Sequence, residues 1–204
     1  MDYNIHMTKN HGFTLIELII TLAVVSIVLM TGIPALNQMT DSNRLVTQIN
    51  SIAGSLALAR SEAIKTGSVV TVCASSDGAT CNVDTWESGW IVFTDKNKDN
   101  AINSSTDYLI KIQSQLNGGT TLRLSNYDVP GIYQFLPDGS SRDRDLSGTS
   151  MGTFTLCNKE AEVAKAKAVN VNFIGRPSRA EDNGGNNIVE GVTGITDAAD
   201  VTCP

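Results

Sequence analysis

One apolar run near the N-terminus constrains this chain more than any other feature. From Phe13 to Ile33 the sequence is almost entirely aliphatic, about the length of roughly 20 residues that a helix needs to cross a bilayer. Its one charged residue, Glu17, lies close to the start. A carboxylate inside a membrane costs about 2.5–3.5 kcal/mol on insertion scales, so it indicates a functional role. A simple signal anchor with a shallow, hydrated Glu17 is the alternative.

The residues that flank the run favour a more specific interpretation. Residues 12–17 read Gly-Phe-Thr-Leu-Ile-Glu, and Pro34 follows the run. This pattern resembles the cleavage signal of type IV prepilins, in which a short polar leader ends in glycine and a prepilin peptidase cuts after it. The resemblance implies cleavage after Gly12, N-methylation of Phe13, and roles in assembly for Glu17 and Pro34.

The first twelve residues agree with this interpretation. They contain Lys9 and two histidines but lack the central apolar stretch of a secretory signal peptide. The basic leader is expected to stay in the cytoplasm, which places the rest of a single-pass chain outside the inner membrane. The predicted divisions are a leader at 1–12, a transmembrane and assembly helix at 13–34, an amphipathic helix at 35–67, and a β-rich head with a C-terminal tail at 68–204.

After Pro34, which is expected to kink the helix, the pattern becomes amphipathic. Apolar residues recur at alternating steps of four and three and form one stripe: Leu45, Ile49, Ile52, Leu56, Ala59 and Ala63. Gly67 is expected to end the helix. The pattern therefore predicts one long helix whose second half packs on a sheet.

From residue 68 onward the hydrophobic period falls to two, which is typical of strands. The predicted strands lie at 68–74, 89–94, 108–116, 120–125, 132–136, 152–157 and 168–174. The closing residues are rich in Gly, Asn and Asp and are expected to form an extended tail. One long helix followed by consecutive short strands predicts an α+β fold, with the helix packed on an antiparallel β-sheet head.

The four cysteines are expected outside the cytoplasm, where disulfides persist. Three pairings are open to Cys73, Cys81, Cys157 and Cys203. Cys73–Cys81 with Cys157–Cys203 is favoured, because the first pair brackets a turn and the second would tie the tail to the body. Zinc is the alternative, but both histidines lie in the leader and no Cys-x-x-Cys occurs. No cofactor is expected.

Charge and composition argue against two broad function classes. The net charge of −6 and the pI of about 4.8 disfavour general nucleic-acid binding, which usually requires a basic domain. After removal of the leader the chain contains no histidine. Neither a Ser-His-Asp nor a Cys-His catalytic set can therefore form, and we expect the protein not to be an enzyme.

Two later segments extend the resemblance. Residues 86–95, Trp-Glu-Ser-Gly-Trp-Ile-Val-Phe-Thr-Asp, and residues 175–179, Gly-Arg-Pro-Ser-Arg, are similar to the GspH/FimT/FimU group of minor pilins and pseudopilins. The resemblance implies a minor pilin that primes or caps a type IV pilus. Its partners would be other minor pilins, the major pilin, the inner-membrane assembly platform and the prepilin peptidase, and its final location the pilus tip.

Two alternatives remain within this family. A FimT-like DNA receptor would use Arg176 and Arg179, although the second arginine lies one residue further on than in that branch. A GspH-like pseudopilin would instead serve type II secretion.

Asp95, Asn97 and Asp99 resemble the start of a calcium loop, with oxygen ligands at alternate positions. The sixth position is Asn100 instead of Gly, and the twelfth is Thr106 instead of Glu. A polar turn between two strands is therefore the favoured interpretation.

Overall fold

The computed structural model describes residues 13–103, 105–127, 129, 131–141, 151–191 and 201–203. The predicted leader and Gly12 lie outside the described residues. The chain divides into two compact units, Met1–Thr40 and Asp41–Pro204. We call the second the globular unit. The predicted divisions at residues 12, 34 and 67 remain predictions.

Helix α1 spans Leu15–Thr66 and contains Pro34 without an interruption. Thr14 caps its start, because the Thr14 hydroxyl accepts a hydrogen bond from the Glu17 amide at 3.3 Å. Gly67 follows its last residue with a φ of +62°, the left-handed conformation that commonly ends helices. The predicted stop at Gly67 is confirmed.

Among the described residues, eight strands follow the helix and form two antiparallel sheets. They are β1 (Val70–Ala74), β2 (Gly89–Thr94), β3 (Leu109–Ser114), β4 (Thr121–Ser125), β5 (Ile132–Phe135), β6 (Gly152–Cys157), β7 (Lys167–Val171) and β8 (Pro177–Arg179). Sheet A has the order β3-β2-β1-β5, and sheet B has the order β4-β6-β7-β8. The predicted α+β fold with antiparallel pairing is confirmed. The alternation of apolar and polar residues did not reveal that the strands divide into two sheets.

The apolar stripe of α1 is buried in the hydrophobic core. Its six predicted side chains, from Leu45 to Ala63, are at most 3% exposed. They belong to one cluster with Val72 and Trp90 of sheet A and with Phe154 of sheet B. Both sheets therefore bury apolar side chains against the same face of the helix.

A short 3₁₀ helix, Trp86–Ser88, directly precedes β2 of sheet A, and its side chains contact sheet B. The Trp86 ring meets Phe154 of β6 edge to face, with centroids 4.9 Å apart. The Glu87 carboxylate pairs with the Arg123 guanidinium and accepts a hydrogen bond from the Leu122 amide at 3.2 Å. The Trp-Glu pair of the family-like motif therefore has a structural role between the sheets.

Both disulfides have the favoured pairing, Cys73–Cys81 and Cys157–Cys203. The second joins the end of β6 to residues 201–203, where Val201 is buried in a small cluster beside sheet B. In the smaller loop, hydrogen bonds from Thr80, then Ala79 and Ser75, hold the pKa of the Asp77 carboxyl well below its usual range. Asp77 is therefore negatively charged at neutral pH.

Ser55 is the polar centre of the contact between helix and sheet. It is fully buried in α1 and donates its hydroxyl to the Ser51 carbonyl at 2.8 Å. The same oxygen accepts hydrogen bonds from the Trp90 indole at 3.0 Å and the Lys111 ammonium at 2.9 Å. Without it, both of these donors would lose a partner close to the core.

Removing the two disulfides separately should destabilise the protein unequally. Cys157→Ser with Cys203→Ser should lower the free energy of unfolding by about 4 kcal/mol, and Cys73→Ser with Cys81→Ser by about 2.5 kcal/mol, on the loop-entropy relation. The sequence separations are 46 and 8 residues. Urea unfolding of the detergent-solubilised chain, followed by tryptophan fluorescence, measures both. Equal losses would contradict the dependence on loop length.

Ser55→Ala should lower the free energy of unfolding by about 1–3 kcal/mol, because it leaves buried donors unsatisfied. Ser61→Ala is the matched control. Ser61 lies exposed on the same helix, so its replacement should change stability by less than about 0.5 kcal/mol. The same urea assay applies. Equal effects of the two alanines would show that Ser55 contributes nothing through its hydrogen bonds.

Candidate assembly segment and turn surface

Residues 13–34 form an apolar segment whose side chains remain unburied. Helix α1 contains an apolar stretch near its N-terminus that is long enough to span a membrane, and none of this stretch is buried. By length and composition this helix can cross a membrane. Phe13 is 83% exposed, and the large aliphatic side chains after it are more than half exposed. The segment therefore offers its whole circumference to lipid or to other helices.

The hydroxyl groups of this segment find their partners within the helix. Thr21, Ser26 and Thr31 each donate to a carbonyl three or four residues earlier, at 2.8 to 3.4 Å. The Glu17 carboxylate has no hydrogen-bond partner among residues 13–34 or elsewhere in the described chain. In an apolar medium, Glu17 is the side chain of this segment that requires a partner from another molecule.

The residues around Glu17 also have a local role at the start of the helix, which was not predicted above. Thr14-Leu15-Ile16-Glu17 matches the capping-box pattern, in which a threonine caps a helix and a glutamate stands three residues later. The bond from the Glu17 amide to the Thr14 hydroxyl is one half of that arrangement. Glu17 also lies in the first turn, where the helix dipole favours negative charge. The pattern was visible in the sequence.

The Gly-Arg element forms part of a hairpin turn between β7 and β8. The Gly175 amide donates to the Asn172 carbonyl at 2.8 Å, and the Arg176 amide donates to the Asn172 side-chain oxygen at 2.9 Å. Gly175 has a φ of +73°. A three-residue loop that ends in a left-handed glycine is a common hairpin connection. Strand β8 was not predicted, because three residues are too few to show alternation.

This turn, residues 172–176, is held against a second turn at residues 137–139. A Cβ atom on Gly175 would overlap the Gly139 carbonyl oxygen. The same oxygen accepts a hydrogen bond from the Arg60 guanidinium at 3.0 Å, and the Ser141 amide donates to the Phe173 carbonyl at 3.2 Å. Gly175 is therefore required by both its conformation and its close contact.

The two candidate arginines differ in their surroundings. Arg179 donates to the Asn50 side-chain oxygen of α1 at 2.9 Å, although it remains exposed. Arg176 is exposed, and within the described residues no carboxylate forms an ion pair with it. Of the pair, Arg176 is the one whose guanidinium is available to a ligand.

The calcium candidate is a hydrogen-bonded loop. The buried Asp95 carboxylate accepts hydrogen bonds from the Thr71 hydroxyl, the Gln134 amide group and the backbone amides of Asp99 and Asn100, at 2.9 to 3.1 Å. These donors fill the positions that a cation would need. Among the described residues no group of three or more His, Cys, Asp or Glu could hold a metal ion.

Asp99 is likewise surrounded by donors. Side-chain amides of Asn97 and Asn103 each donate to one carboxylate oxygen of Asp99, at 2.7 Å. The Ala101 amide donates to the other at 2.9 Å, and these bonds lower the pKa of the Asp99 carboxyl. The loop therefore has the geometry of a polar turn between β2 and β3.

Two family models match the sequence. The model for type II transport protein GspH matches residues 48–175, and the model for the prokaryotic N-terminal methylation motif matches residues 7–33. The GspH match ends at Gly175, so Arg176 and Arg179 lie outside it. No curated protein sequence matches the chain.

The fold is similar to that of a solved pilin. The crystal structure of the type IV minor pilin FimU from Pseudomonas aeruginosa, in space group P21, matches with a TM-score of 0.55 and 15% identity. The match covers 70% of this chain and 92% of FimU. A second FimU crystal form gives a TM-score of 0.48 at 14% identity, over 67% and 93% of the two chains. The first similarity shows a shared fold.

Gly175→Ala should destabilise the protein more than Gly185→Ala. The two glycines have φ values of +73° and +71°, so an alanine at either should cost about 1–2 kcal/mol for its left-handed conformation. A Cβ atom on Gly185 meets nothing within 4 Å, whereas one on Gly175 overlaps the Gly139 backbone. We expect about 1–3 kcal/mol of additional loss at Gly175 in urea unfolding. Equal losses would mean that the two turns can separate freely.

Proposed function

Because the chain belongs to the type IV pilin-like GspH family, whose model matches residues 48–175, we propose that it is a minor pilin that helps to prime or cap a type IV pilus. Proteins of this family are structural subunits, which agrees with the expectation of a non-enzymatic role. The methylation-motif match at residues 7–33 supports processing after Gly12 and modification of Phe13.

The observation that carries the proposal is the Glu17 carboxylate. It stands in an apolar segment whose hydroxyl groups are satisfied internally, so it alone needs an outside partner. Cleavage after Gly12 would create a free amine at Phe13, and the amine of a neighbouring subunit carries the required opposite charge. An ion pair of this kind fixes the register between adjacent helices more than it adds stability.

In the proposed sequence of events, the helix lies first in the lipid bilayer and then in a bundle with other helices. The prepilin peptidase matures the chain in the inner membrane, with the globular unit on the periplasmic side. The assembly platform then moves the helix into a bundle with other minor pilins and the major pilin. Pro34 removes one backbone hydrogen bond near the end of the apolar segment, which gives the helix a point at which it can bend during this transfer.

A pseudopilin of type II secretion is the second candidate. The name of the matching family model, type II transport protein GspH, favours it. The Glu17 mechanism would be the same, but a defective variant would block the release of secreted proteins and leave pilus-dependent motility intact. A DNA receptor is a third candidate. It would depend mainly on Arg176, because Arg179 is engaged by Asn50.

Glu17→Ala and Glu17→Gln should leave the protein inserted and processed but reduce its recovery in sheared pili at least about tenfold, equivalent to about 1.4 kcal/mol. The reason is the loss of the charge that pairs with a neighbouring amine. Immunoblots of membrane and sheared-pilus fractions measure both quantities, and N-terminal sequencing confirms processing. Thr31→Val is the control, because the Thr31 hydroxyl bonds within its own helix. Normal recovery of both Glu17 variants would refute the mechanism.

A further inference from the structure

A small pocket in the globular unit is lined by α1, by the loop before β4 and by the turn after β6. The lining residues are Asp41, Arg44, Leu45, Gly118, Thr120 and residues 158–160. We call it the α1–β4 pocket. It encloses about 120 Å³, the space of about four water molecules at roughly 30 Å³ each, so a group of the size of a phosphate fits in it.

A buried hydroxyl in this lining lacks a hydrogen-bond partner. Thr120 is 5% exposed, and nothing in the described part of the chain bonds to its Oγ1 atom. Gln48 Oε1 is the other buried side-chain atom of the described residues without a partner. Gln48 donates through Nε2 to the Asn117 carbonyl at 2.7 Å, directly before Gly118 of the lining. Buried polar atoms are nearly always hydrogen-bonded, so the Thr120 hydroxyl indicates that the pocket takes a polar ligand.

Two glycines make room for two cationic side chains at this pocket. Gly118 and Gly119 have φ values of +89° and +67°. A Cβ atom on Gly118 would overlap the Arg44 guanidinium, and one on Gly119 would lie 3.2 Å from Lys159 Cγ. The loop therefore needs glycine at both positions, for its left-handed conformation and for the close approach of the two cations.

The charges of the lining are balanced. Its two cationic and two anionic side chains are Arg44, Lys159, Asp41 and Glu160. Just outside, Glu162 and Lys165 form an ion pair of their own at 2.7 Å, which adds no net charge. A simple anion or cation would face two groups of its own sign. A ligand that carries one charge of each sign fits such a lining better.

The depth of each group in the pocket suggests how such a ligand would lie. Thr120 is buried, and the Arg44 side chain is 35% exposed, whereas the Asp41 side chain is 60% exposed and Glu160 is also exposed. The donors of an anionic group therefore lie deep, and the carboxylates lie at the rim. Arg44 pairs with Asp41 at 3.2 Å, but its five N–H donors leave others for a ligand.

The apolar segment indicates where a ligand of this kind is abundant. By length and composition this segment can be held in a bilayer. Asp41 follows Ile33, near the end of the segment, by eight residues. Eight residues span at most about 28 Å even when fully extended, so Asp41 stays near the headgroups of a bilayer that holds the segment. Phospholipid headgroups combine a phosphate with an ammonium group.

We propose that the α1–β4 pocket binds the phosphoethanolamine headgroup of a membrane phospholipid. The phosphate accepts hydrogen bonds from Arg44, Lys159 and the Thr120 hydroxyl. The ammonium donates to Asp41 and Glu160 at the rim. A choline headgroup fits less well because its trimethylammonium has no N–H donor, and a glycerol headgroup has no cation. The bound lipid gives the subunit a second attachment to the bilayer besides its apolar segment.

This inference goes beyond the proposed role in a filament. It requires only that a bilayer holds the chain, so it applies equally to a pilus subunit and to a secretion pseudopilin. Glu17 lies outside the pocket. Glu17→Ala should therefore keep the lipid preference, and failure of one proposal is distinguishable from failure of the other.

The test uses the full-length chain in a non-ionic detergent. Phosphatidylethanolamine, phosphatidylcholine and phosphatidylglycerol with identical acyl chains are added in equal amounts, and native mass spectrometry measures how much of each is bound. Identical acyl chains make the contribution of the apolar segment the same for all three. The ethanolamine lipid should bind at least about fivefold more tightly than either of the others. Equal binding of any other lipid overturns the proposal, and a preference for phosphatidylglycerol would show a simple anion site instead.

Two substitutions connect the preference to this pocket. Thr120→Val and Lys159→Gln should each lower the preference at least about threefold, because each removes a donor to the phosphate. Lys96→Gln, at an exposed lysine after β2, is the control and should keep it. Thr120→Val should not lower stability in urea unfolding, because its hydroxyl has no internal partner to lose. An unchanged preference in both pocket variants overturns the proposal, and a loss of stability in Thr120→Val overturns the role of its hydroxyl.

A competition experiment identifies the recognised group. Soluble O-phosphoethanolamine should displace the bound ethanolamine lipid from the full-length chain, whereas inorganic phosphate at the same concentration should not. Displacement by phosphate to the same extent would mean that the ammonium is not recognised, and this overturns the proposal.

Discussion

The packing of one helix stripe against two sheets is the interaction on which the globular unit depends. Ile52 and Leu56 are fully buried, and the cluster around them includes side chains from both sheets. Burial of such a side chain contributes about 1.5–3 kcal/mol, so the stripe is a large part of the stability of a small unit. The Ser55 hydroxyl lies within the same surface and gives Trp90 and Lys111 fixed partners. The stripe therefore belongs to one hydrophobic core with both sheets.

Local periodicity predicted most of the fold. The stripe from Leu45 to Ala63 and seven of the eight strands could be identified because a helix repeats at 3.6 residues and a strand at two. The division into sheets A and B could not, because pairing partners such as Thr121 and Cys157 are far apart in sequence and alternation does not identify them. Strand β8 escaped detection because it contains three residues and begins with Pro177.

The candidate sites were predictable to different degrees. Glu17 stood out because a single charge in an apolar run has few explanations. In the sequence, Gly175 is only the first residue of the family-like segment 175–179, and the structure adds a conformational and packing role for it beside Gly139. That contact brings together residues 36 positions apart, so no local pattern could reveal it. Phe173 and Ile174 appeared to be the end of a strand, and only their position in a turn makes their exposure informative.

The hydrogen bonds within the apolar segment affect the free energy of moving this segment from lipid into a bundle of helices. Thr21, Ser26 and Thr31 carry their hydrogen-bond partners with them, because each bonds to its own helix. Lipid tails and a bundle of aliphatic helices are then nearly equivalent solvents for this segment, and moving between them requires little exchange of polar contacts. For the transfer proposed above, the hydroxyl groups would then favour neither environment, so its direction would be set by work done on the chain and by the pairing of Glu17.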